Sequence, residues 1–379
     1  MALAPRAVDL KHNLHVSNGL YGILVGLGSI GSIFSLLVMG RLVHRIGVRR
    51  VLFISSTALY ALMATTPHLH TPIYYAIVNI LIAVSFSSYN TALHSQTLQR
   101  QDESGEMMLP KMHGSWSIGV LITVSAAFLL TSKVSFAWHI DVLMAIVWTI
   151  TMIVLRSSSS TFVKKSDNPL PIERVNLARL KRIFTFDKSV IIAFSLGTFI
   201  EFASGDWSTL VTNQEIGAAK SVSVLAYFAL IVAMILGRMY FVRLIGYRSE
   251  RFWIRLASLV GGGGFILFSQ LAWFLTHKAH SLAITLEVIA FFLAGLGTSF
   301  MSPLFTTIAN RRSALKPSEV VAQLNLSNTA ISFGAKMIVA WVAQAASISI
   351  ALLMPGICLM LVARFAYLGN PNRLLGTQD

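Results

Sequence analysis

The feature that most limits what this chain can become is a succession of eleven apolar stretches of near-membrane length. They fall at about 18–39, 50–67, 73–94, 114–132, 136–155, 189–210, 222–242, 253–274, 281–304, 321–343 and 345–367. A helix of about 20 residues rises roughly 30 Å, the thickness of the hydrocarbon core of a bilayer. Only 12% of the 379 residues are charged and 55% are hydrophobic, whereas an ordinary soluble domain is about 25% charged. One aqueous core does not bury that much apolar surface, so the expected fold class is an all-α membrane protein with eleven spans.

The basic residues orient it. If the connection 40–50 is cytoplasmic, 24 of the 30 Lys and Arg residues fall on that side and five on the other, with Lys336 inside a span. Such a bias follows the positive-inside rule, so the expected location is the cell inner membrane, multi-pass, with the C-terminus cytoplasmic. The same rule accounts for the net charge of +15. No basic stripe is interleaved with aromatics as a nucleic-acid-binding module would require. The single cysteine, Cys358, sits in an apolar stretch and reads as a small hydrophobe. Residues 1–17 are polar and broken by Pro5, which is not the pattern of a cleavable signal.

Residues 156–188, rich in Ser, Pro and charge, read as a cytoplasmic linker. It separates an N-terminal bundle, 1–155, with five spans from a C-terminal bundle, 189–379, with six. The bundles share a weak repeat. Gly40-Arg41 is followed by Arg45, Gly47 and Arg49, and Gly237-Arg238 by Arg243, Gly246 and Arg248. Parallel repeats of this kind are a transporter architecture.

The stretch Gly40, Leu42, Arg45, Gly47, Arg49, Arg50 resembles the signature loop of the major facilitator superfamily, G-x-L-x-D-R-x-G-x-R-R, with His44 where that family has Asp. Glu201 with Asp206-Trp207-Ser208, His113-Gly114-Ser115-Trp116, and Gly295-Leu296-Gly297 with Pro303 are similar to the bacterial sugar-permease-like branch. The resemblance implies two pseudo-symmetric helical bundles that alternate access to a central site. It implies that Gly40, Arg41, His44, Arg45, Gly47, Arg49 and Arg50 form a conformational gate, loosened where His44 replaces a carboxylate. It also implies twelve helices. The stretch Asp9–Ser17 looks like the family's connection between helices one and two, so the first helix has no counterpart in this sequence.

Ionisable groups within spans cost about 2.5–3.5 kcal/mol each and are functional candidates by default. Glu201 lies about mid-span and is read either as a proton carrier or substrate contact, or as a structural carboxylate. Asp206 is about 140° around the helix from it and reads as a cap or gate. Trp207 reads as an interfacial anchor in preference to a sugar-stacking ring. Lys336 has Glu287 and Glu201 as candidate partners, between which the sequence does not choose. Asn79, Ser87, Asn90 and His94 share one face of span 73–94, while Ser85 and Ser88 fall off it. That stripe, with His113, Trp116, Asn325 and Asn328, supplies candidate cavity lining, with helix packing as the competing reading. Gly261–Gly264 suggests close helix packing or a hinge.

No nucleophile–base pair and no metal-ligand spacing is visible, so an enzyme is not expected and neither cofactor nor metal is implied. The leading expectation is a monomeric, proton-coupled transporter of a sugar-like or other small polar solute. The alternatives are an efflux pump for amphipathic compounds and a truncated, non-transporting membrane protein.

Overall fold

The computed structural model describes residues 2–104, 108–157, 187–244, 247–314 and 317–370. Every regular element among these is helical. The first group is α1 (Ala7–Leu14), α2 (Asn18–Gly26), α3 (Gly28–Ile46), α4 (Val48–Thr65), α5 (Pro72–Ser104), α6 (Met108–Leu130) and α7 (Phe136–Ser157). The second opens with α8 (Lys188–Gln214), α9 (Lys220–Leu244), α10 (Glu250–Ser258) and α11 (Gly264–Leu275). It continues with α12 (His280–Thr298), α13 (Met301–Arg311), α14 (Pro317–Ala345), α15 (Ile348–Ala351) and α16 (Leu353–Leu361). Most of the expected linker, 158–186, lies outside the described residues.

Nine stretches among the described residues are long and apolar enough to cross a bilayer. Several combine two elements: α2 runs into α3, α10 into α11 through a π-helical turn at Leu259–Gly263, and α12 into α13. Two expected spans fall below that measure. α4 has 18 residues with Arg49 and Arg50 in its first turn, and the apolar part of α6, Gly114–Leu130, is shorter. Nine of the eleven expected spans thus reach full length among the described residues.

Three boundaries differ from expectation. The connection 40–50 is not a loop: α3 runs to Ile46 and α4 starts at Val48, leaving Gly47 as the only turn. Gly47 has φ +86°, which favours a residue without Cβ. The 40–46 stretch contains no proline, so nothing in it stops the helix at the end of the apolar region. For the same reason α5 extends to Ser104, ten residues beyond the apolar stretch. Between the last two spans, the break falls at Ala346 and Ser347. There the Ser347 hydroxyl caps α15, and the Glu215 carboxylate accepts from Ile348 N–H, from Ser349 N–H at 2.9 Å and from the Ser349 hydroxyl.

Burial follows bilayer logic rather than that of a globule in water. Phe34, Ile54, Ile73, Ile118, Ile122, Trp138, Ile153, Leu267 and Trp341 are each more than half exposed, and an outward face of this kind suits lipid. Inside, small residues set helix distances. A Cβ on Gly261 would lie 2.6 Å from the Gly297 Cα, and one on Gly262 would lie 2.6 Å from the Gly356 carbonyl oxygen. The glycine run is therefore a packing device where α11 begins, and the π turn beside it lets the backbones touch.

Candidate functional site

α8 runs through the middle of the second group, packing on α9, α12, α13, α14 and α16. Glu201 stands at its midpoint, with the carboxylate 3.9 Å from an Arg238 guanidinium nitrogen. Both side chains keep some exposure, 17% for Glu201 and 28% for Arg238. Arg238 is steadied by donating to the Ser299 carbonyl at 3.0 Å. That approach is possible because Gly237 packs directly against the Ser299 side chain. One turn beyond Glu201, Asp206 pairs with Lys336 of α14 at 2.7 Å, both largely buried, and the Lys336 ammonium sits over the Phe202 ring. The candidate partners of Lys336, Glu287 and Glu201, are thus replaced by Asp206. The angular offset that separates Asp206 from Glu201 turns it toward α14, and the four-carbon lysine stem spans the gap.

Around Asp206 lies a buried aromatic cluster drawn from both groups of helices. Tyr21 of α2, Tyr75 of α5 and Tyr227 of α9 are each 3% exposed or less and interact electrostatically with Asp206. Trp207 is 2% exposed and meets Tyr21 edge to face at 5.7 Å. The expectation of an interfacial anchor is corrected: Trp207 is a buried contact between the two groups. Opposite it, α2 presents glycines. A Cβ on Gly22 would lie 2.6 Å from Trp207, one on Gly19 would lie 2.8 Å from Gln344, and Gly26 packs on Met337.

These contacts belong to a closure at one end of the molecule. Lys11 donates to Gln214 at 3.1 Å, Lys220 to Asp9 at 2.8 Å, and the Thr209 hydroxyl to the Ala4 carbonyl at 3.1 Å. Arg6 is buried between Asp9 (2.7 Å), His139 (3.5 Å) and the Phe136 ring. Burial pulls the Arg6 guanidinium below its ordinary pKa, and the Asp9 charge partly offsets this. At the opposite, arginine-rich end, the arginine side-chain bonds among the described residues stay within one group. Arg49 donates to Leu155, Arg311 to Glu250, Arg312 to Asp187, and Arg251 to Tyr367 and Gly369. The two groups therefore meet at the end that carries α1 and Lys220.

The remaining expected site residues divide. Glu287 is fully buried beside Ser269, with neither carboxylate oxygen in hydrogen-bond range of a partner among the described residues, and it forms no ion pair there. Asn79 donates to the Leu24 and Val25 carbonyls at 2.9 and 3.2 Å, serving the break between α2 and α3. Asn90 donates to Phe86, and His94 bonds the Asn90 carbonyl, both along α5. Off that stripe, Ser88 meets Ser35 of α3 at 3.0 Å and is 4% exposed, so α5 is tied to α2 by a residue of the stripe and to α3 by a serine outside it. Asn328 is buried and accepts from Thr198 of α8 at 3.3 Å, whereas Asn325 is exposed. Trp116 is half-buried against the main core. Of the gate residues, Arg45 is half-buried, Gly47 is the turn, and Arg49 and Arg50 are exposed at the start of α4. The side chains of Gly40, Arg41, His44 and His113 lie outside the described residues.

Arg238, Glu215 and the three tyrosines are absent from the sequence expectation. Arg238 reads as a loop charge until α9 is seen to run on to Leu244, and the one available signal is its place in the Gly-Arg repeat. A tyrosine in a span looks apolar until a charge is placed near its hydroxyl.

Comparison with known proteins places the chain. The model of the Major Facilitator Superfamily matches residues 1–337. An MFS-type transporter of Yersinia pestis is 23% identical over 372 residues, covering 96% of this chain and 90% of its own. A transporter of Sinorhizobium fredii is 22% identical over 254 residues, covering 62% of this chain and 61% of its own. In fold, the chain is similar to a D-xylose-proton symporter (TM-score 0.70, 15% identity, 97% of this chain and 92% of that one). It is also similar to the nucleoside transporter NupG (TM-score 0.69, 12% identity, 97% and 94%). The chain is a multi-pass membrane protein built on the transporter fold, and it belongs to the Major Facilitator Superfamily.

Proposed function

We propose that this protein is a proton-coupled secondary transporter of a small polar solute, with Glu201 as the proton-linked group. The observation that carries the reading is the contrast between two neighbouring ion pairs on α8. Asp206–Lys336 is tight at 2.7 Å, while Glu201, equally buried, is held at only 3.9 Å from an Arg238 that is more exposed than Lys336. A carboxylate that loads and releases a proton needs a partner close enough to compensate its charge and loose enough to leave.

In this reading the segments 1–155 and 189–379 rock against one another about a central site, joined by the 156–188 linker, and one copy suffices. The arginine-rich end faces the cytoplasm, as does the C-terminus, by the positive-inside rule. The contacts among α1, α2, α8 and α14 then close the outer face, and the conformation is the inward-open one. The chain's likeness to a D-xylose-proton symporter and to a nucleoside transporter suggests D-xylose and uridine as first probes.

The test is uptake into liposomes. Wild type accumulates the transported probe under an inward proton gradient. Glu201→Gln retains exchange of labelled for unlabelled probe but no longer accumulates it. Undiminished accumulation by Glu201→Gln defeats the assignment.

A further inference from the structure

We infer that the arginine-rich end of the first bundle carries a binding site for an anionic phospholipid, in the groove between α4 and α7. A cavity of about 300 Å³ opens there, lined by Arg49, Arg50, Phe53, Ile54, Met152, Leu155 and Arg156. The lining divides by chemistry along the membrane normal. The three arginines stand at the ends of their helices, Phe53, Ile54 and Met152 lie about one turn deeper, and Leu155 is the neighbour of Arg156. Phe53 and Ile54 are 49% and 59% exposed, so the floor of the groove opens outward on the lipid-facing surface. Arg49 is held in place by donating its Nε–H to the Leu155 carbonyl at 3.3 Å, which leaves its terminal nitrogens free to face a ligand. Among the described residues, Arg50 and Arg156 have no acidic partner. Three arginines rim a slot whose walls are almost wholly apolar, and no carboxylate lines it among the described residues.

That combination selects the occupant. A phosphodiester is a bidentate match for guanidinium, and an acyl chain fits the apolar slot below it. Free phosphate satisfies the arginines but leaves Phe53, Ile54, Met152 and Leu155 unused. A zwitterionic lipid would bring its own cation against three arginines. A phosphatidylglycerol-like lipid meets both halves of the site. Each basic side chain near an anionic headgroup raises the preference for it roughly five-fold, so removing two should lower it on the order of 25-fold. This site does not depend on the transport reading, because it needs only that the chain resides in a bilayer.

The test uses the full chain in nanodiscs of mixed phosphatidylglycerol and phosphatidylcholine. The lipids that stay bound after release into mild detergent are counted by native mass spectrometry. Wild type should retain phosphatidylglycerol well above its share of the bilayer. Arg50→Gln/Arg156→Gln should lose most of that enrichment, whereas Arg50→Lys/Arg156→Lys should keep part of it, and the charge-retaining variant also reports on folding. Met152→Ala should weaken retention of phosphatidylglycerol without changing the choice of headgroup. Equal enrichment in wild type and the double Gln variant overturns the site, and so does displacement of the lipid by millimolar inorganic phosphate, which would make the arginines a phosphate site alone.

Discussion

Separating Asp206 from Lys336 should be among the most damaging single changes available in this chain, and removing both charges together should restore most of what either loses. The two groups are 2.7 Å apart and 17% and 16% exposed. At an effective dielectric near 20 their attraction is about 6 kcal/mol, most of it spent offsetting the desolvation of two ions. Asp206→Asn leaves the Lys336 ammonium uncompensated over Phe202, and Lys336→Met leaves a carboxylate facing Tyr21, Tyr75 and Tyr227. Breaking a buried pair from one side costs about 3–5 kcal/mol, whereas replacing both partners is often near neutral. Thermal unfolding in detergent reads this directly. At about 2 °C per kcal/mol for a long chain, each single variant should melt roughly 6–10 °C below wild type. The Asp206→Asn/Lys336→Met double should recover to within about 3 °C, a coupling of several kcal/mol in a double-mutant cycle. Additive single effects, or single variants that melt with the wild type, would refute the pair as a buried electrostatic unit.

Other outcomes follow from the same geometry. Gly22→Leu places side-chain atoms where Trp207 and Ala340 already sit. Overpacking of that kind costs about 1–3 kcal/mol, so spin labels on α2 and α14 should report a wider separation than in wild type; an unchanged distance distribution would show that this closure tolerates a side chain. Glu215→Ala removes the acceptor for Ile348 N–H, Ser349 N–H and the Ser349 hydroxyl. With charge-assisted bonds worth about 1.5–3 kcal/mol net, hydrogen exchange at the start of α15 should accelerate at least ten-fold, and unchanged protection there would assign the capping to Ser347 alone.

Legibility in the sequence varied with the physics behind each feature. Membrane residence and helical class were readable because a bilayer imposes one-dimensional rules: span length, low charge and a basic bias are properties of the linear chain; the family was readable from the resemblance of the stretch Gly40–Arg50 to a signature loop. Helix ends were less readable, since apolar stretches stop at the edge of the hydrocarbon while the backbone helix runs on, as α3 does to Ile46 and α5 to Ser104. The Gly261–Gly264 run was legible as close packing or a hinge, and the contacts of Gly261 and Gly262 decided for packing.

Pairings across helices were not readable. Glu201, Asp206 and Lys336 announced themselves as costly charges, yet which carboxylate meets Lys336 depends on how α8 and α14 are rotated against each other, and no local rule fixes that rotation. Arg238 looked like a solvated loop charge and became a partner of Glu201 once α9 was seen to carry it past Ser299. The amino-acid sequence alone settled that this chain lives in a membrane as a bundle of helices, because the cost of charge in lipid is paid residue by residue. The tertiary structure alone decided which charges neutralise one another and where the two bundles touch, because those depend on the rotation and spacing of helices distant in the chain.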